Sequence, residues 1–210
     1  MSNPEVIDGL AYIIFIIAVA VTIYFRERAR KVGAATGKRI RSLYRKAWVE
    51  AIIKKGDQPD LINTIRNNIT VSVALLSAII ISFGFVINAG VIKVDGNFFH
   101  LVRIVSIISL LGYSLFMILL EIRTLTYIPI VSQVPESLIK KYDNTDKASY
   151  MAKLLHESYD YFSNSIRSLF YIAPLMIWFY NVYLFIVLTL IISYAMHSED
   201  FGTKSGITTF

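Results

Sequence analysis

Four long stretches of this sequence contain no Asp, Glu, Lys or Arg: Gly9 to Phe25, Ile69 to Ile92, Ile104 to Leu120 and Ser168 to Met196. About 20 mostly apolar residues are needed for a helix to cross ~30 Å of hydrocarbon. Such stretches must coil if they enter lipid, because unpaired backbone N–H and C=O groups find no water there. The first stretch is slightly short, and Tyr24 and Arg26 can reach the interface to compensate. The fourth is longer than a straight crossing requires; it is expected to tilt, to kink at Pro174 or to extend beyond the hydrocarbon. The fold class implied is all-α. It is a polytopic membrane protein with four transmembrane helices (about 9–25, 69–92, 104–120 and 168–196) and two cytoplasmic amphipathic helices, forming a single membrane domain over residues 1–210. The hydrophobic share of 55% lies above the roughly 45–50% typical of soluble domains.

Charge sets the expected orientation, because Lys and Arg collect in cytoplasmic loops. Segment 26–68 holds twelve Lys and Arg, segment 121–167 holds six, and the rest of the chain holds three: Lys93, Arg103 and Lys204. Four alternating spans bring the two basic segments to one face. Both are expected to be cytoplasmic at the cell membrane, with the N- and C-termini outside. Residues 1–25 carry Glu5 and Asp8 but no Lys or Arg. A signal peptide opens on positive charge, so the first stretch is expected to persist as a span. The net charge of +6 reflects this topology and does not point to nucleic acid as a partner.

The first basic segment contains an amphipathic helical pattern. Ile40, Leu43, Tyr44, Ala47, Trp48, Ala51 and Ile52 recur at helical spacing, Lys38, Arg39, Arg41, Arg45 and Lys46 fill the other faces, and Gly56, Asp57 and Pro59 end it. Such a helix can lie among anionic headgroups or pack beneath the bundle. The loop of the second basic segment starts with the proline-punctuated stretch Pro129 to Pro135. A helix is expected from about Asp146, with Ala148, Met151, Leu154, Leu155, Tyr159 and Phe162 on one side.

Polar residues near or within the spans are the candidate contacts: Asn88, Arg103, Ser106, Ser109, Glu121 and Asn181. Asn181 sits centrally in the fourth stretch. Each amide can bond across helices for about 0.6–2 kcal/mol. Ala74, Ala78 and Ser82, and separately Ser106, Ser109 and Gly112, form rows of small residues that let helix backbones approach closely. Arg26, Arg66, Arg123 and Arg167 mark the cytoplasmic ends of the spans, joined by Lys38, Arg41 and Arg45 in a basic cluster. They are expected as snorkelling anchors ahead of an anion-binding ring. Glu121 shares their depth and is an expected ion-pair partner for Arg66 or Arg167.

Enzymatic chemistry finds little support. Cysteine is absent, which removes disulfides, thiolate nucleophiles and Cys-ligated metals. The histidines His100, His156 and His197 lie far apart, with no His-x-x-x-His or Glu-x-x-His pair. No metal or cofactor is expected, and no nucleophile–base pair stands out.

Several motifs recur in a known order: Arg45-Lys46-Ala47-Trp48-Val49-Glu50-Ala51, then Asn63-Thr64-Ile65-Arg66-Asn67-Asn68-Ile69, then Leu120-Glu121-Ile122-Arg123. A last one runs from Ser165 and Arg167 through Tyr171 and Pro174 to Trp178. In this order and spacing, over roughly residues 40 to 195, the chain resembles domain-of-unknown-function family 599, small multi-pass membrane proteins. It departs in having Ile65 before Arg66-Asn67 where the family has Leu, and Tyr180-Asn181 where it has Gly-Pro. The resemblance implies a helical membrane fold, with Trp48, Arg66, Asn67, Arg123, Arg167, Tyr171, Pro174 and Trp178 as family-like positions, and no established activity.

The leading expectation is a non-catalytic bundle working as a homo-oligomer or as a subunit of a membrane complex. The alternatives are a channel or small-solute carrier with a path between protomers, and a surface that binds anionic lipid at the cytoplasmic face.

Overall fold

A computed structural model describes residues 4–31, 37–56, 58–92 and 98–201. Among the described residues there are seven helices and no strand: α1 (Pro4–Lys31), α2 (Gly37–Lys55), α3 (Gln58–Ile92), α4 (Phe98–Gln133), α5 (Glu136–Asp143), α6 (Lys147–Ile177) and α7 (Val182–Phe201). Four helices are long and apolar enough to cross a bilayer, over Glu5–Arg28, Pro59–Asn88, Phe98–Gln133 and Val182–Glu199. Their outward surfaces are greasy: Ile13 and Ile17 on α1, Ile80 and Ile81 on α3, Leu101 and Val105 on α4, and Val187 and Ile191 on α7 are all exposed. In water such surfaces would aggregate; in lipid they are the solvent-facing side. The architecture is a polytopic α-helical membrane fold.

Helix lengths depart from the apolar stretches. With 36 residues, α4 spans ~54 Å at 1.5 Å per residue, well beyond the hydrocarbon. It passes through Pro129 and stops at Gln133, before Pro135. The stretch Pro129 to Pro135, read as the start of a loop, is therefore mostly helix. The 35-residue α3 likewise starts well ahead of Ile69. Gly56, at a φ of 70°, supplies the left-handed turn that ends α2. Asp57, also expected at that stop, lies outside the described residues.

The fourth expected span is not one helix. Residues 178–181 form a turn between α6 and α7. Pro174 stays within α6, and the Trp178 N–H still bonds its carbonyl at 2.9 Å. The break falls at Asn181, whose side-chain oxygen accepts the N–H groups of Tyr183 at 2.8 Å and Leu184 at 3.1 Å. This is an N-cap, which satisfies amides that the start of a helix leaves unpaired. Asn181 thus starts α7, and its carbonyl oxygen accepts the Phe185 N–H. It makes no bond across the middle of a span.

The chain divides into two compact units. The first takes the described residues within Met1–Ile40, Phe85–Leu110 and Arg167–Phe210; the second takes those within Arg41–Gly84 and Leu111–Ile166. In the first unit the end of α6 and α7 form an antiparallel hairpin. Trp178 stacks on Phe185 at 4.7 Å, Tyr171 bonds Ser193 at 3.0 Å and Arg167 meets Glu199 at 3.8 Å. Along α1, Phe15 meets Phe185 at 5.6 Å and Phe25 meets His197 at 4.8 Å. Helices α1 and α7 therefore run in the same direction, and residues 4 and 201 lie at opposite ends of this unit. Placing both termini on one side assumed an unbroken fourth span, and the turn at 178–181 removes that assumption.

The second unit is built on an apolar core of Val49 and Ile52 from α2, Leu61 and Ile65 from α3, Leu125, Ile128 and Val131 from α4, Ile139 from α5, and Met151 and Leu155 from α6. Full burial of one such side chain is worth about 1.5–3 kcal/mol where water is the alternative. Helix α6 begins at a capped end: the Ser149 N–H donates to Asp146 at 2.9 Å, and that bond holds the Asp146 carboxyl below its ordinary range. The buried face of α2 is rotated from the expected one: Ile52 and Trp48 of the expected stripe join Val49 and Ile53 at the core, while Leu43 and Tyr44 are exposed, Tyr44 at 71%. Helix α2 carries two apolar stripes, and the core takes the one that includes Val49.

Candidate functional site

Polar side chains in the first unit gather at three depths. At one end Asp8 on α1 receives two donors on the same oxygen: Arg103 Nη2 of α4 at 3.0 Å and Trp178 Nε1 at 2.8 Å. The Arg103 guanidinium also lies 4.5 Å over the Trp178 ring and 5.6 Å over Phe179. The Arg103 and Asp8 side chains are only 15% and 19% exposed, so this is a largely desolvated pair with an aromatic lid. Tyr12, one turn below Asp8, stacks on Trp178 at 5.6 Å and shares a hydrogen bond with Ser106 at 3.0 Å.

Deeper in the same unit, Thr22 and Tyr171 share a hydrogen bond at 2.9 Å, and Tyr171 shares another with Ser193 at 3.0 Å. Thr22 also donates to the Ala18 carbonyl. Three helices are thereby tied through one buried phenol. At the far end lie Arg26, which is buried, and the Arg167–Glu199 ion pair.

In the second unit Ser72 donates to Glu121 Oε1 at 2.8 Å, and Glu121 is 4% exposed. Glu121 Oε2 is buried with no hydrogen-bond partner. The expected arginine partner of Glu121 is replaced by this serine. Ser114 and Ser165, both fully buried, share a bond at 2.5 Å. Nearer the basic segments, Arg45 Nη2 donates to His156 Nδ1 at 2.8 Å and lies 5.0 Å over the Tyr159 ring, while His156 Nε2 is 3.8 Å from Asp160. Asn68 donates to the Tyr159 hydroxyl at 3.2 Å. Burial pulls the Arg45 guanidinium below its ordinary value, against the fields of Tyr159 and Asp160.

The expected arginine ring divides. Arg26 and Arg167 are withdrawn into the first unit, whereas Arg66, Arg123 and Arg41 are exposed in the second. The side chain of Lys38 lies outside the described residues. Of the polar contacts, Arg103 and Ser106 have partners on α1, Asn181 caps α7, and Asn88 and Ser109 are exposed. Asp8 is the functional-looking residue that sequence reasoning missed. The signal was present: Asp8 and Arg103 sit at matching ends of two apolar stretches, and a lone charge near a span needs a partner. Among the described residues, no group of three or more His, Asp and Glu side chains could hold a metal ion.

The family profile described as "Protein of unknown function, DUF599" matches residues 10–205. The chain belongs to that family, and Trp48, Arg66, Asn67, Arg123, Arg167, Tyr171, Pro174 and Trp178 all fall within the matched span. Comparison with curated proteins and with solved structures found no match.

Proposed function

We propose that this protein is a non-catalytic membrane bundle that acts by assembly, as a homo-oligomer or as a subunit of a larger membrane complex. The observation that carries this reading is the outward face of α3. Asn67, Thr70, Ala74, Ser77, Ala78, Ser82 and Gly84 are all exposed along it. Lipid gives helices no hydrophobic reason to associate, so small side chains that let backbones approach are the usual seam. In the other small row Ser106 and Gly112 are used inside the chain, Ser106 by its bond to Tyr12 and Gly112 by standing where an added methyl group would lie 3.6 Å from the Phe83 ring.

The chain contains no cysteine, so single cysteines report cleanly. Ala74→Cys and Ala78→Cys are expected to form disulfide-linked pairs on oxidation in native membranes, while Val105→Cys on α4 stays single. Native mass spectrometry in mild detergent should show a homo-oligomer or a co-purifying partner. A lone monomer in both experiments removes the reading.

Orientation belongs to the same proposal. With α7 running parallel to α1, α6 supplies a return crossing, residue 4 lies outside, and residue 201 lies at the cytoplasmic end. Of the Lys and Arg in the chain, nineteen then fall on the cytoplasmic side and two, Lys93 and Arg103, outside. A reporter fused to the C-terminus should read cytoplasmic and one at the N-terminus external; the same side for both refutes this topology. A channel lined by Asn88, Arg103, Ser106, Ser109 and Asn181 is the weaker reading, because Arg103, Ser106 and Asn181 are already committed within the chain. Contact of α2 with anionic lipid is favoured by exposed Leu43 and Tyr44 beside Arg41.

A further inference from the structure

The first unit has an open groove between α1 and α7, walled by Ile14, Ile17, Val21 and Phe25 on one side and by Leu190 and Tyr194 on the other, with a volume of about 380 Å³. That lies within the ~300–1,000 Å³ range of small-ligand sites. Thr22, Ser193 and His197 also line it; both hydroxyls are turned to Tyr171, and the His197 ring packs edge-on against Phe25. The surface offered to an occupant is therefore mostly carbon.

Length and lining narrow the choice of occupant. From Ile14 to Phe25 a helix rises ~16 Å, which is half of the ~30 Å hydrocarbon layer. The groove is one leaflet deep. A second spanning helix would run on through the other leaflet, whereas one acyl chain of a phospholipid occupies a single leaflet, so the depth and the carbon lining suit a hydrocarbon chain. Arg28 follows Phe25 by three residues on the same face of α1 and is exposed. In the orientation proposed above, on which this step rests, that end meets the cytoplasmic leaflet, where anionic headgroups lie.

We infer that the α1/α7 groove seats one acyl chain of an anionic phospholipid of the cytoplasmic leaflet, with Arg28 beneath its phosphate. Glu199, at the same end, is engaged with Arg167 and leaves Arg28 as the cation on the groove line.

The test uses the full chain in nanodiscs of phosphatidylcholine that contain a trace of phosphatidylglycerol bearing a photoreactive group on one acyl chain. After irradiation, labelled peptides are mapped by mass spectrometry. Labelling is expected on residues 14–25 and 190–197 well above that on the exposed α4 residues Phe116 and Leu119. Ile17→Trp fills the groove from a position already 56% exposed, so the fold is spared and groove labelling falls while α4 labelling does not. Ile13→Trp, outside the groove, leaves both unchanged. Arg28→Gln should erase a preference of about fivefold for the phosphatidylglycerol probe over the matching phosphatidylcholine probe. That factor is what roughly 1 kcal/mol for one Arg at an anionic surface amounts to. Equal labelling of groove and α4, or labelling indifferent to Ile17→Trp, overturns the acyl-chain site. Equal labelling by both probes overturns the anionic headgroup. The terminal reporters read orientation independently, so a failed topology is distinguishable from an empty groove.

Discussion

Replacing Trp178 with alanine is expected to cost about 3 kcal/mol of apparent stability, measured by pulse proteolysis across an SDS titration in mixed micelles. The side chain is 2% exposed and holds several partners at once. It stacks on Phe185 and Tyr12, lies under the Arg103 guanidinium and donates to Asp8. Removing a buried Trp from a water-soluble core costs about 3–5 kcal/mol. In a bilayer part of that term disappears, because the unfolded reference is lipid and not water. What remains is the cavity, the lost ring contacts at about 0.5–1.5 kcal/mol per pair, and an Asp8–Arg103 pair stripped of its lid. Trp178→Phe separates these contributions. It keeps most of the ring packing and loses the N–H to Asp8, a bond to a charged group worth about 1.5–3 kcal/mol, so it should fall between wild type and Trp178→Ala. A Trp178→Ala loss below about 1 kcal/mol would mean the cluster is decoration on an independently stable bundle.

That cluster also marks where sequence reasoning stopped. The runs from Gly9, Ile69 and Ile104 were legible as spans because lipid forbids any other backbone state, so composition alone decides them. The pairing of Asp8 with Arg103 and Trp178 was not, since nothing in helical periodicity links positions 95 and 170 apart in sequence. The turn at 178–181 was hidden by its own apolarity. Trp178, Phe179 and Tyr180 keep the stretch greasy, and Asn181 looked like a mid-span amide. The excess length of 168–196 was the available clue: 29 residues rise ~44 Å as one helix, far more than a single crossing uses. Pro129 misled in the opposite direction. Proline usually ends a helix, yet α4 carries it inside. In the first basic segment the apolar positions of α2 fit two overlapping stripes, and only the tertiary core chooses between them.

That choice has a large measurable consequence. Val49→Asp is expected to release α2 from the second unit and to raise the rate of tryptic cleavage within 41–55 by about two orders of magnitude. Val49 is 1% exposed and packs with Ile52, Leu61, Ile65 and the α4 and α6 side chains of the core. A carboxylate there has no partner, and burying one unpaired costs several kcal/mol. About 3 kcal/mol of local destabilisation corresponds to a roughly hundredfold larger open population. Proteolysis tracks that population when reclosing is fast. Leu43→Asp places the same charge on the exposed stripe and is expected to shift stability by no more than about 0.5 kcal/mol, with little change in cleavage. The two variants discriminate between the modes open to a basic amphipathic helix. A helix held by headgroups through Leu43 and Tyr44 would be released by Leu43→Asp and would tolerate Val49→Asp. A helix held by the protein core reverses the order, and exposed Leu43 and Tyr44 then meet the membrane surface without being what anchors it.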